Sequence, residues 1–225
     1  MSLTLRPSVQ NLPVDMESRP SPRKRAPRTD THAEADAAEV EQLLGAGKLS
    51  ELATLVIETY GPEVLGFLAT MLRDRADAND AFAQACEDLW KGLPRFDHRS
   101  TIKTWFYTLA RNAAFRLRRS PHARRRVSII GVSEVVARVR SRTALYLRSE
   151  VKDGVAAIRD ELGEADRALL VLRLDRGMSW TAIARVMAGR GGSAADRKRG
   201  AARVRQRFQT IKRKIRDRAR TLGLL

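Results

Sequence analysis

Two stretches of this chain carry cations almost to the exclusion of anions, and they limit what it can fold into. Residues 111–126 hold seven arginines and no acid; residues 190–220 hold thirteen Lys or Arg against Asp196 and Asp217. Together they account for the whole formal charge of +17, so the rest of the chain is nearly neutral. An unpaired guanidinium or ammonium group is excluded from an apolar interior. Each stretch must therefore present a solvated face, and any core must come from apolar positions spaced between the charges. Two separate cationic faces imply a polyanionic partner touched in two places. DNA or RNA fits better than an anionic membrane, because no long apolar run or lipidation signal accompanies the charge. No membrane partner is expected.

The apolar positions recur mostly at three- and four-residue steps, which predicts an all-α protein. Residues 1–38, rich in Pro, Ser, Arg and Asp, cannot bury enough apolar surface to offset their ordering entropy and are expected to form a disordered tail. A first helical domain is expected over residues 39–120. Its main apolar run, from Leu49 to Leu72, is interrupted by Gly61-Pro62, where the helix should kink or restart. A further helix over Asp77–Gly92, with Asp77 as its N-cap, places Ala81, Phe82, Ala85, Leu89 and Trp90 on apolar positions. Its polar residues Asp80, Gln84, Glu87 and Asp88 suit a solvated face or a docking surface for a basic partner.

The segment from Arg95 to Arg119 joins a polar loop, Asp97-His98-Arg99, to a helix capped by Ser100 or Thr101. Trp105, Phe106 and Tyr107 follow in succession. A helix turns about 100° per residue, so three adjacent rings cannot share one face. A stripe of Ile102, Trp105, Leu109 and Ala113 is expected to be buried, leaving Phe106 or Tyr107 near the surface. Rings and guanidinium groups mixed beside a polar loop suit unpaired bases stacked above a phosphate-binding surface. An amphipathic core helix with a solvated basic end has the same pattern.

Residues 121–148 are of mixed character and are expected to form a flexible linker holding some local helix. Residues 149–225 form a second helical domain. It comprises an apolar face at Val151, Val155, Ile158 and Leu162, a helix over Glu164–Arg176, a short helix over Trp180–Ala188 capped by Ser179, and a long basic helix over Ala194–Leu222. Short helix, turn, long basic helix is the helix-turn-helix plan, whose second helix enters the major groove of DNA.

The chemistry-bearing residues are few. Cys86 is the single cysteine, which excludes an intrachain disulfide and indicates a reducing compartment; its apolar neighbours predict a buried, inert thiol. His32, His98 and His122 lack companions at ligand spacing, so neither metal nor cofactor is expected. No phosphate-cradling glycine loop, Ser/His/Asp grouping or secretory signal is evident, and the chain does not read as an enzyme.

In combination the two halves resemble bacterial RNA polymerase sigma factors of the extracytoplasmic-function (ECF) type. The resemblance rests on TYGPEVLGFL, DRADANDAFAQACEDLWKGLPRF and STIKTWFYTLARN between about Leu49 and Arg119. In the second half it rests on LLVLRLDRGMSWTAIARVM and VRQRFQTIKRKIR, between about Val151 and Leu222. It implies a cytoplasmic, nucleoid-associated initiation factor whose partners are core RNA polymerase, through the β′ clamp coiled coil and the β flap, and promoter DNA. An anti-sigma factor holds many relatives inactive, and the resemblance admits such a partner here.

Carried over residue by residue, the resemblance implies polymerase docking by Asp77, Asp80, Gln84 and Trp90. Ala83 stands where a Gln is usual, so Gln84 is displaced by one position. It implies −10 promoter contacts by Arg99, Ser100, Thr101, Lys103, Trp105, Phe106, Arg111, Asn112, Arg116 and Arg119, with Arg99–Lys103 lining a pocket for a flipped base. Arg116 stands where the family often has Asp. Contacts to the −35 element fall to Arg203, Arg205, Gln206 and Arg207 at the groove, and to Lys212 and Arg213 at phosphates. The turn at 188–202 is about ten residues longer than usual, so the recognition helix either starts early or follows a long loop. A stand-alone helix-turn-helix DNA-binding regulator is the alternative reading.

Overall fold

The computed structural model describes residues 30–119, 132–149, 161–188 and 194–221, and these contain helices and turns but no strand. By contacts the chain divides between Glu39 and Val40, and Val40–Leu225 forms one compact unit. Helix α1 (Asp30–Gly45) starts inside the stretch whose composition marks it as tail. The Ala- and Glu-rich run from Ala33 to Leu44 supplies strong helix formers there.

Helix α2 (Leu49–Leu72) is the centre of the first half, with α3 (Arg75–Gly92), α4 (Ile102–Arg119), α5 (Val132–Ser149) and α6 (Glu164–Leu170) packed around it. It runs unbroken through Gly61-Pro62, where the sequence predicts an interruption. An interior proline costs roughly 3 kcal/mol, whereas each fully buried Leu, Ile, Val, Phe or Met side chain contributes about 1.5–3 kcal/mol. Leu52, Val56 and Ile57 before the proline and Val64, Leu65, Phe67, Leu68 and Met71 after it are all buried, so burial on both sides outweighs the lost hydrogen bond. The helix has the length and hydropathy of a bilayer span, yet its apolar side is the core of the bundle.

Helix α3 (Arg75–Gly92) is capped by Asp74, and not by Asp77. The Asp74 carboxylate accepts from the backbone N–H of Asp77 at 2.8 Å, which leaves Asp77 in the first turn, where the helix dipole favours an anion. A 3-10 turn at Leu93–Arg95 leads to the polar loop and then to α4 (Ile102–Arg119). Thr101 is its cap, its Oγ1 accepting from Thr104 N at 3.2 Å.

Trp105, Phe106 and Tyr107 are all buried, against the expectation that Phe106 or Tyr107 would lie near the surface. The rings still point in three directions, but α4 is enclosed by α2, α3 and α7 (Trp180–Ala188), so each direction meets a neighbour. Trp105 lies on Phe96 with centroids 4.9 Å apart, Phe106 on Phe82 at 6.3 Å, and Tyr107 edge-on to Phe67 at 5.4 Å.

Helix α5 (Val132–Ser149) falls where a linker is expected, but it is seated on α2 and α3. Val135, Val136 and Val139 are buried there, and Arg138 bonds to Glu58 at 2.8 Å. Gly61 admits it: a Cβ at that position would lie 3.1 Å from Val139 Cγ1 and 3.2 Å from Phe82 Cζ. Residues 120–131 and 150–160, with the apolar face expected at Val151–Ile158, lie outside the described residues.

The second half begins with α6 (Glu164–Leu170), which continues into a π-helical turn at Val171–Asp175 and ends at Gly177, φ 61°. Helix α7 (Trp180–Ala188) is capped by Ser179, whose Oγ accepts from Ala182 N at 3.2 Å. Helix α8 (Ala194–Thr221) crosses α7 closely, a Cβ on Gly200 coming within 3.3 Å of Ala184 Cβ, and Trp180 meets Phe208 edge-on at 5.3 Å. Because α8 starts at Ala194, much of the long turn after Ala188 is extra helix at the N-terminal end of α8; residues 189–193 lie outside the described set.

Candidate nucleic-acid interface

On α3, Asp77, Asp80, Gln84 and Asp88 follow one another at steps of three, four and four residues, which puts them in one stripe. Gln84 is held inside it, its Nε2 donating to Glu87 at 3.3 Å and to Asp88 at 3.1 Å. Trp90 does not join them. Thirteen positions beyond Asp77 it projects from another side of the helix, where it packs against the core. The stripe adjoins α4 through an ion pair between Asp88 and Arg116.

The loop before α4 stands out from the bundle. His98 takes a left-handed conformation with φ 53°, the Arg99 N–H donates to Asp97 Oδ1 at 3.3 Å, and Arg99 and Thr101 are exposed. Ser100 is half-buried, and the Thr101 hydroxyl is committed to the helix cap. Lys103 turns away from the loop to Glu63 at 2.8 Å and lies over the Tyr60 ring at 5.4 Å. Trp105 and Phe106, as interior side chains, are not free edges on which a base could stack. The accessible ring surface is provided by two residues that sequence reasoning passed over. Phe96 is half-buried between Trp105 and His98, with centroids 4.9 Å from each, and His98 is exposed. The signal was present in Phe96-Asp97-His98, two rings flanking an acid at the mouth of the polar loop. The ladder Trp105, Phe96, His98 thus carries an aromatic face from the core to solvent.

Farther along α4, Arg111 is half-buried, with its guanidinium 4.3 Å from the Phe115 ring and Nη1 3.5 Å from the Val186 carbonyl of α7. Burial, and next the charge of Arg207, push its pKa below the usual guanidinium value. Asn112 is half-buried, and Arg116 and Arg119 are exposed, Arg116 being paired with Asp88. Burial also pushes the Cys86 thiol well up, opposed by Arg140. Among the described residues no three His, Cys, Asp or Glu side chains converge as a metal set.

On α8 the core stripe is Val204, Phe208, Ile211, Ile215 and Ala219. Arg203, Gln206 and Arg213 lie on the opposite, exposed side, and Arg199, four residues before Arg203, extends their row. Arg205 and Lys212 shoulder the core stripe, and Arg205 lies 5.8 Å from the Trp180 ring that Arg173 also covers at 4.5 Å. Arg207 is bonded to Asp166 at 2.6 Å. The structure therefore gathers part of the expected groove-reading set on one face and turns Arg205 and Arg207 to neighbours.

The family model for sigma-70 region 2 matches residues 56–125, a span containing most of α2, all of α3 and α4, and the loop between them. The RNA polymerase sigma-H factor of Pseudomonas aeruginosa (strain PAO1) is 27% identical over 141 residues, covering 59% of this chain and 73% of that protein. With an all-α fold, an α2–α4 bundle that matches sigma-70 region 2 and helices on the helix-turn-helix plan after it, the chain is similar to bacterial RNA polymerase sigma factors.

Proposed function

We propose that the chain is a transcription initiation factor of the ECF type and divides its work between its halves. The stripe Asp77, Asp80, Gln84 and Asp88 docks on the clamp coiled coil of the polymerase β′ subunit, while the second half meets the β flap. The loop Asp97–Thr101 and helix α4 open the −10 element and hold its non-template strand; α8 reads the −35 element through Arg203, Gln206 and Arg213, with Arg199 at their upstream end. Its place of action is the cytoplasm, on the nucleoid, and its task is binding and positioning with no bond-making step of its own.

The observation that carries this reading is the adjacency of an acidic stripe and a ring-backed polar loop on two packed helices, α3 and α4, joined by Asp88 and Arg116. Unstacking one base costs a few kcal/mol. Stacking on an aromatic surface returns roughly 1–3 kcal/mol per base, and capture beside Arg99 and Ser100 adds hydrogen bonds. The ladder ending in His98 supplies the surface, so opening proceeds without a nucleotide cofactor. Trp105 and Phe106 support the loop from within.

Run-off transcription with core polymerase and promoter-bearing genomic fragments tests the assignment: a promoter-dependent transcript is expected, and its absence overturns it. A stand-alone helix-turn-helix regulator would bind duplex DNA but would not co-purify with core polymerase. An anti-sigma partner would have to cover the stripe on α3 or the exposed row on α8, and co-purification from the native host tests for one.

A further inference from the structure

One cleft of the first half carries cations that neither promoter nor polymerase binding, as proposed above, employs. It lies where α2, α3 and α5 meet and has a volume of about 300 Å³, at the lower end of the range for small-molecule sites. Leu65 and Ala69 of α2 and Ala78 of α3 give it an apolar floor. Its polar wall is Arg75 and Asn79 of α3 with Arg140 and Ser141 of α5. The wall thus holds two cations, an amide and a hydroxyl, and no acid.

Helix geometry keeps the acids away. Ala78 and Asn79 follow Arg75 by three and four residues and share its face of α3. Asp74, Asp77 and Asp80 each adjoin a member of that face in sequence, so they are turned about 100° from it. The Asp74 carboxylate is taken up by the Asp77 N–H. The face also belongs to the first turn and a half of α3, where the helix dipole favours a bound anion.

The two guanidinium groups differ in freedom. Arg75 is exposed, and among the described residues no carboxylate is paired with it. Arg140 is half-buried and held in place, its Nη2 donating to the Asn79 carbonyl at 2.5 Å. Its Nε is buried with no hydrogen-bond partner among the described residues. A guanidinium group with a buried donor unanswered and no paired carboxylate costs stability unless an anion completes it. We propose that this cleft binds a small organic phosphate monoester, which ties α5 to α2 and α3. Two cations and two neutral donors exceed what one carboxylate accepts, whereas a phosphate monoester brings a charge of about −1.5 to −2 and three acceptor oxygens. Guanidinium groups present paired donors that match those oxygens. The apolar floor and the volume accommodate an organic group beyond the phosphate.

The test titrates the full chain with phenyl phosphate, and separately with inorganic phosphate, by calorimetry in a phosphate-free buffer. R75Q removes an exposed cation, A69M fills the floor and keeps the charge, and K214Q makes an equal charge change at an exposed position on α8. Phenyl phosphate is expected to bind wild type and K214Q alike at one site, about tenfold or more tighter than inorganic phosphate. Its affinity for R75Q and A69M is expected to fall about tenfold or more. Hydrogen exchange over α5 should slow with phenyl phosphate in the wild type and not in R75Q. Should A69M fail to fold, R75Q and the exchange data decide. No binding, several weak sites, or equal weakening in K214Q means an adventitious ion only and overturns the site. Equal affinities for the two phosphates overturn the organic ligand, and unchanged exchange in the wild type overturns the tie to α5.

Discussion

Lys103 Nζ lies 2.8 Å from Glu63 Oε2, the same oxygen that accepts from the Tyr107 hydroxyl at 3.5 Å. One carboxylate on α2 thus holds both a cation expected at the base pocket and a phenol of the core. Both partners of the ion pair are mostly buried, so water screens it only in part. A double-mutant cycle of K103M and E63Q is expected to give a coupling of about 1 kcal/mol or less. E63Q should also raise single-strand affinity by freeing Lys103, and unaltered affinity would exclude Lys103 from the DNA surface.

Phe106→Ala and Arg99→Ala separate support from contact. Phe106 is completely buried, and its truncation should cost about 3–5 kcal/mol of stability. Arg99 is exposed, so Arg99→Ala should leave the denaturant midpoint in place and reduce promoter opening, read with a fluorescent base analogue in the −10 element. Equal opening by the wild type and Arg99→Ala counts against the loop as the base pocket.

Asp80→Arg reverses a charge in the middle of the α3 stripe. Core polymerase binding is expected to weaken tenfold or more, each tenfold being about 1.4 kcal/mol, while α8 still binds duplex DNA. Competition for core enzyme against a labelled sigma factor measures it.

Arg213→Ala should lower the salt slope of duplex binding by about 1 without affecting stability, as loss of one phosphate contact does. Arg205→Ala should instead loosen the ring packing at Trp180. A drop in the melting temperature for Arg205→Ala and none for Arg213→Ala is the pattern to look for.

Alkali should weaken the fold through two buried acids. Burial raises the folded pKa of the Cys86 thiol above its ordinary 9.0 and that of the Tyr107 phenol above 10.0. The folded chain then keeps protons that the unfolded chain releases, so stability falls as pH rises past each unfolded value, by up to about 1.4 kcal/mol per pH unit per group. Tyr107→Phe should flatten the decline above pH 10, and native Cys86 should react with thiol reagents only as fast as the chain opens.

Much of this was legible beforehand because helices are local. The apolar steps placed α2, α3, α4 and α7, and residue type alone put the cap of α4 at Ser100 or Thr101 and that of α7 at Ser179. What escaped was decided by packing. Pro62 is tolerated because the residues on both sides of it are buried. Phe106 and Tyr107 are interior because α4 is enclosed by α2, α3 and α7, which no periodicity within α4 records. Asp74 took the cap expected of Asp77 because its backbone is extended while that of Asp77 is already helical. The engagement of Lys103, Arg111, Arg116 and Arg207 by partners 28 to 75 residues away likewise had no local signal.

The hydrogen on Gly61 sets a gauge. Replace it by a methyl group, and the new carbon meets Phe82 on the interior side and Val139 on the other at little more than 3 Å. Phe82 cannot retreat, because Phe106 stands behind it, so α5 is the element that must lift. Seated, its 18 residues are a strut about 27 Å long with a fixed heading. Lifted, they are a leash. Whether α5 stays seated on the first half turns on a single atom at position 61.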